Sequence, residues 1–213
     1  MTDTMNDPMN DRASSARDDD TLVYYAENAA KYAVDSLKRP LSPHMDYFAS
    51  RLPARPRVLE LGCGAGRDTA DMIKRGFDVL PTDGSPAMAK EAEARLGIPV
   101  KAMLFEELDM VDAFNGVWAN ASLLHAPREG LPDIIRRIHA ALKPGGLLYA
   151  SFKSGEAGGR DVFGRYYNYP SREVMMNLFR ANGGWSDILI TIQPGGSYEG
   201  GQIDWLHCFV TKD

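Results

Sequence analysis

The sequence predicts one doubly wound α/β domain, and two observations carry that prediction. The chain has 213 residues, of which 44% are hydrophobic, so it fits a single domain that can bury a sizeable core. Short apolar runs then alternate with amphipathic helical segments between residues 57 and 152. Strands that alternate with helices imply right-handed crossovers, which build a parallel sheet covered by helices on both faces.

Five apolar runs are predicted to be strands of this sheet, and three amphipathic segments are predicted to be its helices. The strands are RVLEL (57–61), FDVLPT (77–82), VKAMLF (100–105), GVWANA (116–121) and LLYASF (147–152). The helices cover 66–75, 85–95 and 129–142. In the last of them Ile134, Ile135 and Ile138 share one apolar face.

The pattern changes after residue 153. A glycine-rich loop at 154–164 and three clustered tyrosines precede a helix that Ser171 caps and a glycine pair ends. Two further strands, 185–193 and 203–211, are joined by a short glycine-rich segment, which predicts an antiparallel hairpin. We therefore expect seven strands, mostly parallel, with an antiparallel last strand.

The N-terminal region divides near residue 20. Residues 1–20 contain six aspartates, two arginines and no aromatic or branched aliphatic side chain, so we expect a disordered acidic tail there. Helical spacing of apolar residues then predicts a helix over 21–37, and a second short helix is expected after Pro43. The folded domain is expected to comprise residues 21–213, with a helical part at 21–55 and a core at 56–213.

Charge and cysteine content exclude several classes of function. The chain carries 24 basic and 29 acidic side chains, and most of its net charge of −5 lies in the first 20 residues. Such a nearly neutral body lacks the basic surface that binds nucleic acid. The two cysteines are far apart, and no uninterrupted apolar run approaches the roughly 18 residues of a membrane span. We therefore expect a cytoplasmic protein with no metal, no nucleic-acid partner and no membrane.

The most informative segment is VLELGCGAGRD (58–68), a strand followed by a glycine-rich turn and the start of a helix. Its glycines follow G-x-G-x-G rather than the G-x-G-x-x-G of loops that hold a dinucleotide pyrophosphate. Glu60 precedes the first glycine by two residues, where a carboxylate repels a pyrophosphate and attracts a cation. Asp83 ends the second strand and can accept hydrogen bonds from both hydroxyls of a ribose. A positive charge beside a ribose indicates S-adenosylmethionine.

Four segments in the expected order resemble the class I S-adenosylmethionine-dependent methyltransferases. They are the glycine loop, TDGSPAM (82–88), VWANASLLHAP (117–127) and LKPGGLLYASFK (142–153). The third of them and RDVFGRYYNYPS (160–171) are also similar to small bacterial methyltransferases related to tellurite-resistance proteins. The resemblance implies a Rossmann-like sheet, an N-terminal helical lid, S-adenosylmethionine as cofactor and S-adenosylhomocysteine as product.

The resemblance also implies which residues form the site. The implied cofactor contacts are Gly62, Gly64 and Gly66 at the methionine part, Glu60 at its cationic groups, Asp83 and Gly84 at the ribose, Met88, Leu104 and Phe105 at the adenine, Asn120 and Ala121 across the crevice, and Tyr24 and Tyr32 in the lid. The acceptor is expected to meet Tyr25, Arg160, Arg165 and Tyr166.

Several of these residues have a second interpretation. His125 follows the fourth strand, where it could take a proton from the acceptor or, as a structural histidine, donate to a nearby carbonyl. Asp83 could instead cap the following helix, and Arg160 and Arg165 could form a solvated face. Cys63 is expected to be a packing residue.

We expect methyl transfer to a small-molecule or metalloid acceptor by in-line displacement. The acceptor atom (O, N, S or a metalloid) is left open, as is the choice between monomer and homodimer. The alternatives are a tRNA-modifying methyltransferase, a non-catalytic module that binds S-adenosylmethionine, and an NAD-dependent oxidoreductase. The nearly neutral surface disfavours the first alternative, and the glycine spacing with Glu60 disfavours the last.

Overall fold

The architecture is given by a computed structural model that describes residues 17–198 and 200–213. The helices are α1 (Asp19–Leu37), α2 (His44–Ser50), α3 (Arg67–Lys74), α4 (Pro86–Leu96), α5 (Leu131–Ala141) and α6 (Arg172–Ala181). The strands are β1 (Arg57–Leu61), β2 (Asp78–Asp83), β3 (Lys101–Ala102), β4 (Phe114–Ala119), β5 (Leu142–Lys153), β6 (Gly159–Arg160), β7 (Tyr166–Tyr167), β8 (Trp185–Gly196) and β9 (Gln202–Lys212). Short 3-10 helices cover Phe105–Glu107 and Leu123–His125.

Seven strands form one sheet in the order β3-β2-β1-β4-β5-β9-β8. The pairs among the first five are parallel, and β9 runs antiparallel to both β5 and β8. The predicted mostly parallel sheet with an antiparallel last strand is therefore confirmed. A second sheet, the small antiparallel pair β6-β7, was not predicted and lies within the expected glycine-rich loop and aromatic cluster.

Helices cover both faces of the large sheet, because alternate strand residues point to opposite sides. On one face Val117, Leu148 and Ala150 pack with α5 and α6 in the larger core cluster. On the other face Trp118 and Tyr149 pack with α2 and α3. Two-sided burial is what a doubly wound parallel sheet requires, and it leaves only the strand ends free to build a site.

Several predicted boundaries shift; β5, for example, begins at Leu142 rather than at the predicted residue 147. Three of the shifts have an identifiable local reason. Asp18 is not part of a disordered tail, because its carboxylate accepts the Thr21 backbone N–H at 2.9 Å and caps α1, which begins at Asp19. Residues 1–16 of the predicted tail lie outside the described residues. The strand expected over 100–105 shrinks to β3, since the Glu107 carboxylate accepts the Leu104 N–H at 2.8 Å and turns the chain.

The fourth strand also ends two residues before the predicted position. β4 begins at Phe114 and stops at Ala119, and Ala121 has a left-handed φ of 53°. This turn directs Asn120 and Ala121 over the carboxyl end of the sheet. Among the described residues, no helix is long and apolar enough to cross a membrane.

Candidate functional site

The main cavity opens at the carboxyl ends of β1, β2 and β4. From β1 the following strands lead to one edge of the sheet, and from β4 they lead to the other edge. Doubly wound folds bind ligands at such a switch point between two neighbouring strands. We call the loop 62–65 together with Glu60, Asp68, Asp83 and Asn120 the floor of this cavity. We call α1, which lines the cavity, together with residues 159–169, which do not line it but pack against α1, its roof.

Most of the predicted site residues line this one cavity. They are Tyr25, Tyr32, Glu60, Gly62, Gly64, Asp83, Gly84, Met88, Leu104, Phe105, Asn120, Ala121 and His125. The buried Cys63 lines it too, and burial raises the pKa of its thiol, so it is a packing residue rather than a nucleophile, as expected.

The glycine loop is shaped by a close approach to the end of β4. Gly62 has a φ of 76°, and a Cβ added to it would lie 2.5 Å from the Ser122 Cβ. Only glycine avoids both the steric conflict and the strain of that conformation. The Ser122 hydroxyl is buried, lines the cavity and has no hydrogen-bond partner among the described residues.

Asp83 connects the glycine loop to β2. One carboxylate oxygen accepts the Gly64 N–H and the other accepts the Ser85 N–H, both at 2.9 Å. Ser85, whose hydroxyl accepts the Met88 N–H, is the N-cap of α4, so the alternative that Asp83 is that cap is wrong. Burial raises the pKa of Asp83 to about 6. Each oxygen keeps a lone pair with which it can accept a further donor.

Two buried carboxyl groups lie beside the loop. Glu60 is 3% exposed, and the Thr69 hydroxyl donates to it. Burial, with a smaller contribution from the neighbouring Asp68 charge, raises the pKa of Glu60 to about 8. Glu60 was expected to carry a charge, but in the absence of a cation it is therefore mostly protonated at neutral pH, which corrects that expectation.

Asp68 is a site residue that was not predicted. Its carboxylate accepts hydrogen bonds from the Trp118 indole at 3.0 Å, from the Asn120 amide at 2.9 Å, and from Arg67 at 2.9 Å. It lies in the glycine motif, but two of its partners, Trp118 of β4 and Asn120 directly after β4, are some 50 residues away, so spacing gave no signal for its role. Asp68 therefore connects the start of α3 to the carboxyl end of β4 by hydrogen bonds.

His125 is held in one tautomer. Its Nδ1 lies 2.7 Å from the Tyr166 carbonyl, which can only accept, so Nδ1 carries the proton. Its Nε2 therefore accepts from the Tyr25 hydroxyl at 2.9 Å. Burial is the main reason that the pKa of His125 falls to about 3. The structural interpretation of His125 fits this geometry better than the general-base interpretation.

Five predicted site residues do not line the cavity. Gly66 lies behind the loop, where a Cβ would meet the Leu96 side chain at 2.6 Å. Tyr24 packs against Phe163 and the buried Arg165 instead. Arg160 pairs with Asp18 at 2.7 Å.

The other two act within the roof. Arg165 is 1% exposed and pairs with Asp161 at 2.6 Å, so it belongs neither to the cavity wall nor to a solvated face. It also donates to the Tyr25 hydroxyl at 3.2 Å, which connects it to the cavity indirectly. Tyr166 contributes its backbone: the carbonyl accepts from His125, and the N–H donates to the Thr21 hydroxyl at 2.8 Å. Contacts between segments that are far apart in the sequence hold these two residues in the roof.

A comparison with known families agrees with the fold and the cavity. Residues 58–146, which include the glycine loop and Asp83, match the family model described as a methyltransferase domain. This match and the sheet order show that residues 58–146 are similar to a methyltransferase domain and that the chain has the fold of the S-adenosylmethionine-dependent methyltransferases.

Individual relatives are similar to part of the chain. The chain is 32% identical over 115 residues to a ubiquinone biosynthesis O-methyltransferase of Xanthomonas axonopodis pv. citri, covering 50% of this chain and 47% of the relative. The chain thus spans about half the length of the curated relatives it matches.

Two solved structures share the fold over most of the chain. A methyltransferase from Methanosarcina mazei superimposes with a TM-score of 0.71 at 18% identity, covering 82% of this chain and 99% of that one. The 1,6-didemethyltoxoflavin-N1-methyltransferase of Burkholderia thailandensis, solved with bound 1,6-didemethyltoxoflavin and S-adenosylhomocysteine, gives a TM-score of 0.68 at 24% identity, covering 89% of this chain and 84% of that one. At these identities the structures establish the fold alone.

Proposed function

We propose that this chain transfers a methyl group from S-adenosylmethionine to a small-molecule acceptor. The single observation that carries the proposal is the floor, which brings Glu60, Asp68 and Asp83 together around the glycine loop at the switch point of the sheet. This set of carboxylate acceptors suits a ligand that has cationic groups at one end and a ribose at the other.

The residues of the cavity fit the cofactor in chemical character. The acid pair of Glu60 and Asp68 suits the ammonium and sulfonium groups, because a cation stabilises buried carboxylates. The Asp83 carboxylate suits the ribose hydroxyls. The remaining wall suits the adenine, since it is formed by the apolar side chains Leu22, Met88, Leu104 and Phe105.

When bound, S-adenosylmethionine supplies the methyl group and a good thioether leaving group. The chain then has two tasks, which are to hold the acceptor in line and to exclude water. Tyr25 and Tyr32 project from α1 into the cavity and are the side chains that we assign to these tasks. His125 positions Tyr25 by accepting a hydrogen bond from its hydroxyl.

Calorimetry with S-adenosylhomocysteine, NAD⁺ and ATP tests the proposal. We expect S-adenosylhomocysteine to bind and the two nucleotides to bind far more weakly. Asp83→Asn should weaken that binding by about 10- to 100-fold, because a charged acceptor is lost. The matched control is Asp78→Asn, at the exposed start of the same strand, which should bind as the wild type does.

Binding alone does not separate an enzyme from a binding module. The released S-adenosylhomocysteine should therefore be measured by mass spectrometry with phenols, carboxylic acids, thiols, amines, metalloid oxyanions and tRNA as acceptors. We expect turnover with an organic small molecule. Turnover with tRNA alone, or tighter binding of NAD⁺ than of S-adenosylhomocysteine, would contradict the proposal; binding without any turnover would favour the non-catalytic alternative.

A further inference from the structure

The Tyr25 hydroxyl, which belongs to a side chain that lines the cavity, already has two hydrogen-bond partners among the described residues. Its proton is donated to His125 Nε2 at 2.9 Å, and one of its lone pairs accepts from Arg165 Nη1 at 3.2 Å. A tyrosine hydroxyl has one proton and two lone pairs. One lone pair of Tyr25 therefore remains for a ligand, which means that Tyr25 can accept a further hydrogen bond but cannot donate one.

The roof fixes these donor and acceptor roles. The Tyr166 carbonyl accepts from His125 Nδ1, which leaves Nε2 as an acceptor. Arg165 is 1% exposed, pairs with Asp161 at 2.6 Å and can only donate. If the Tyr25 hydroxyl proton turned towards the cavity, the buried His125 Nε2 would lose its donor, which is unfavourable.

The titratable groups around Tyr25 are poor bases. Burial raises the pKa of Tyr25 well above its usual value, so its hydroxyl stays neutral. Burial, helped by the Arg165 charge, lowers the pKa of His125 to about 3. Burial alone would raise the pKa of Asp18, which also lines the cavity, but its hydrogen bond with Arg160 lowers it. A nucleophile that reacts beside Tyr25 must therefore have a free lone pair at neutral pH without losing a proton first.

We propose that the methyl acceptor is a neutral aromatic or heteroaromatic amine, whose N–H group donates to the Tyr25 hydroxyl oxygen while its nitrogen lone pair attacks the methyl group. This inference rests on the proposed function, because it places the acceptor in the same cavity. Carboxylates, phenolates and metalloid oxyanions lack the proton that Tyr25 can accept. Alcohols and neutral phenols have that proton but need a base. Aliphatic amines are ammonium ions at pH 7 and have no free lone pair.

The transfer step balances without a base in the protein. The nitrogen lone pair forms the N–C bond as the C–S bond breaks, and the electron pair of that bond stays on sulfur in the neutral thioether of S-adenosylhomocysteine. The nitrogen becomes positively charged and keeps its N–H group. Its hydrogen bond to Tyr25 therefore becomes charge-assisted and strengthens in the transition state, which is the condition for raising the rate. The methylated amine then loses its proton to water.

The first test compares acceptors that share a ring and differ in the attacking group. Release of S-adenosylhomocysteine from S-adenosylmethionine should be followed by mass spectrometry with aniline, 2-aminopyridine, benzylamine, phenol and benzoate, and with selenite as a metalloid oxyanion. We expect aniline and 2-aminopyridine to react at least about tenfold faster than the others, because they alone combine the donor with a free lone pair.

The second test removes the Tyr25 hydroxyl. Tyr25→Phe should lower kcat/KM for the aromatic amine by about 10- to 100-fold, mainly through kcat, while the affinity for S-adenosylhomocysteine changes by less than about twofold. Tyr47→Phe is the matched control. The Tyr47 hydroxyl also accepts from an arginine, Arg51, at 2.9 Å, but neither residue lines the cavity. This variant should react as the wild type does.

A change of specificity separates this role of Tyr25 from a structural one. In His125→Asn an amide N–H can replace the Nδ1 donor to the Tyr166 carbonyl, but the Nε2 acceptor is gone, so the Tyr25 hydroxyl is free to donate to a ligand. Calorimetry on the protein saturated with S-adenosylhomocysteine should show the affinity for benzoate, relative to that for aniline, raised by about tenfold over the wild type.

Four outcomes would overturn the inference. Phenol, benzoate, benzylamine or selenite could react faster than both aromatic amines, or a protein that binds S-adenosylhomocysteine could turn over neither amine. Tyr25→Phe could react as the wild type does. His125→Asn could change the affinities for benzoate and aniline by the same factor, in which case the two residues are only structural. Failure of the wild type to bind S-adenosylhomocysteine would instead remove the proposed function, and the inference with it.

Discussion

The floor and the roof of the cavity are built in different ways. Most floor residues lie at the ends of adjacent parallel strands, and Asp68 lies at the start of α3. Hydrogen bonds such as that between Asp83 and the Gly64 N–H fix them. The roof is held by a few contacts between distant segments, among them Thr21 to Tyr166 and Tyr25 to His125. Under the proposed function, the sheet determines where the cofactor binds, and the packing of α1 determines what reaches the acceptor side.

The largest effect is expected at the floor, in a pair of glycine substitutions. Gly62→Ala introduces a Cβ that conflicts with Ser122 in addition to the strain of a positive φ, and we expect a loss of about 3 kcal/mol in the free energy of unfolding. Gly64→Ala meets no atom within 4 Å and should lose only about 1 kcal/mol. Urea denaturation measures both values.

A second substitution separates the steric cost from the strain. Ser122→Gly removes the atom that the new Cβ would meet, so Gly62→Ala/Ser122→Gly should recover much of the difference between the two alanine variants. Equal losses for both alanine variants, or no recovery in the double variant, would show that the close approach to Ser122 does not constrain the loop.

The next effect is expected in the roof. Arg165 is buried with Asp161 and lies within 6 Å of five aromatic rings, including Tyr24, Tyr25 and Tyr198. Arg165→Leu leaves the Asp161 carboxylate buried without its partner, so we expect a loss of about 3 kcal/mol. Hydrogen exchange should accelerate in α1 and residues 159–169 while β1 and β4 stay protected.

Arg160 provides the control for Arg165. It lies in the same segment but pairs with Asp18 at the surface, so Arg160→Leu should lose less than about 1 kcal/mol. If the two variants were equally stable, or if exchange rose uniformly across the sheet, the floor and the roof would not be separable units.

The sequence predicts the floor of the cavity better than it predicts the roof. The order of strands and helices and the floor residues at strand ends follow from local periodicity and the spacing of the glycine loop. Asp68 escaped prediction because its hydrogen bonds to Trp118 and Asn120 reach across to another strand. Arg160 and Arg165 were placed at the acceptor because residue type cannot show which guanidinium is buried against a carboxylate.

The last effect concerns protons at the floor and depends on pH. Because burial raises the pKa of Glu60 from 4.5 to about 8, the folded state holds a proton that the unfolded state has lost. The stability that this group contributes is fully present below pH 4.5 and is lost as the pH rises towards 8, at up to about 1.4 kcal/mol per pH unit. Glu60→Gln should flatten that part of the stability profile.

Ligand binding should reverse this protonation. The sulfonium and ammonium groups of S-adenosylmethionine favour the ionised carboxyl, so binding at pH 7 should release up to about one proton. Calorimetry in two buffers of different ionisation enthalpy counts the released protons, and Glu60→Gln should abolish the release whereas the exposed Glu173→Gln should not. Because S-adenosylhomocysteine lacks the sulfonium charge, it should release fewer protons from the wild type. Equal release by both ligands, or release that persists in Glu60→Gln, would mean that another group responds to the cation and that Glu60 only packs against Thr69.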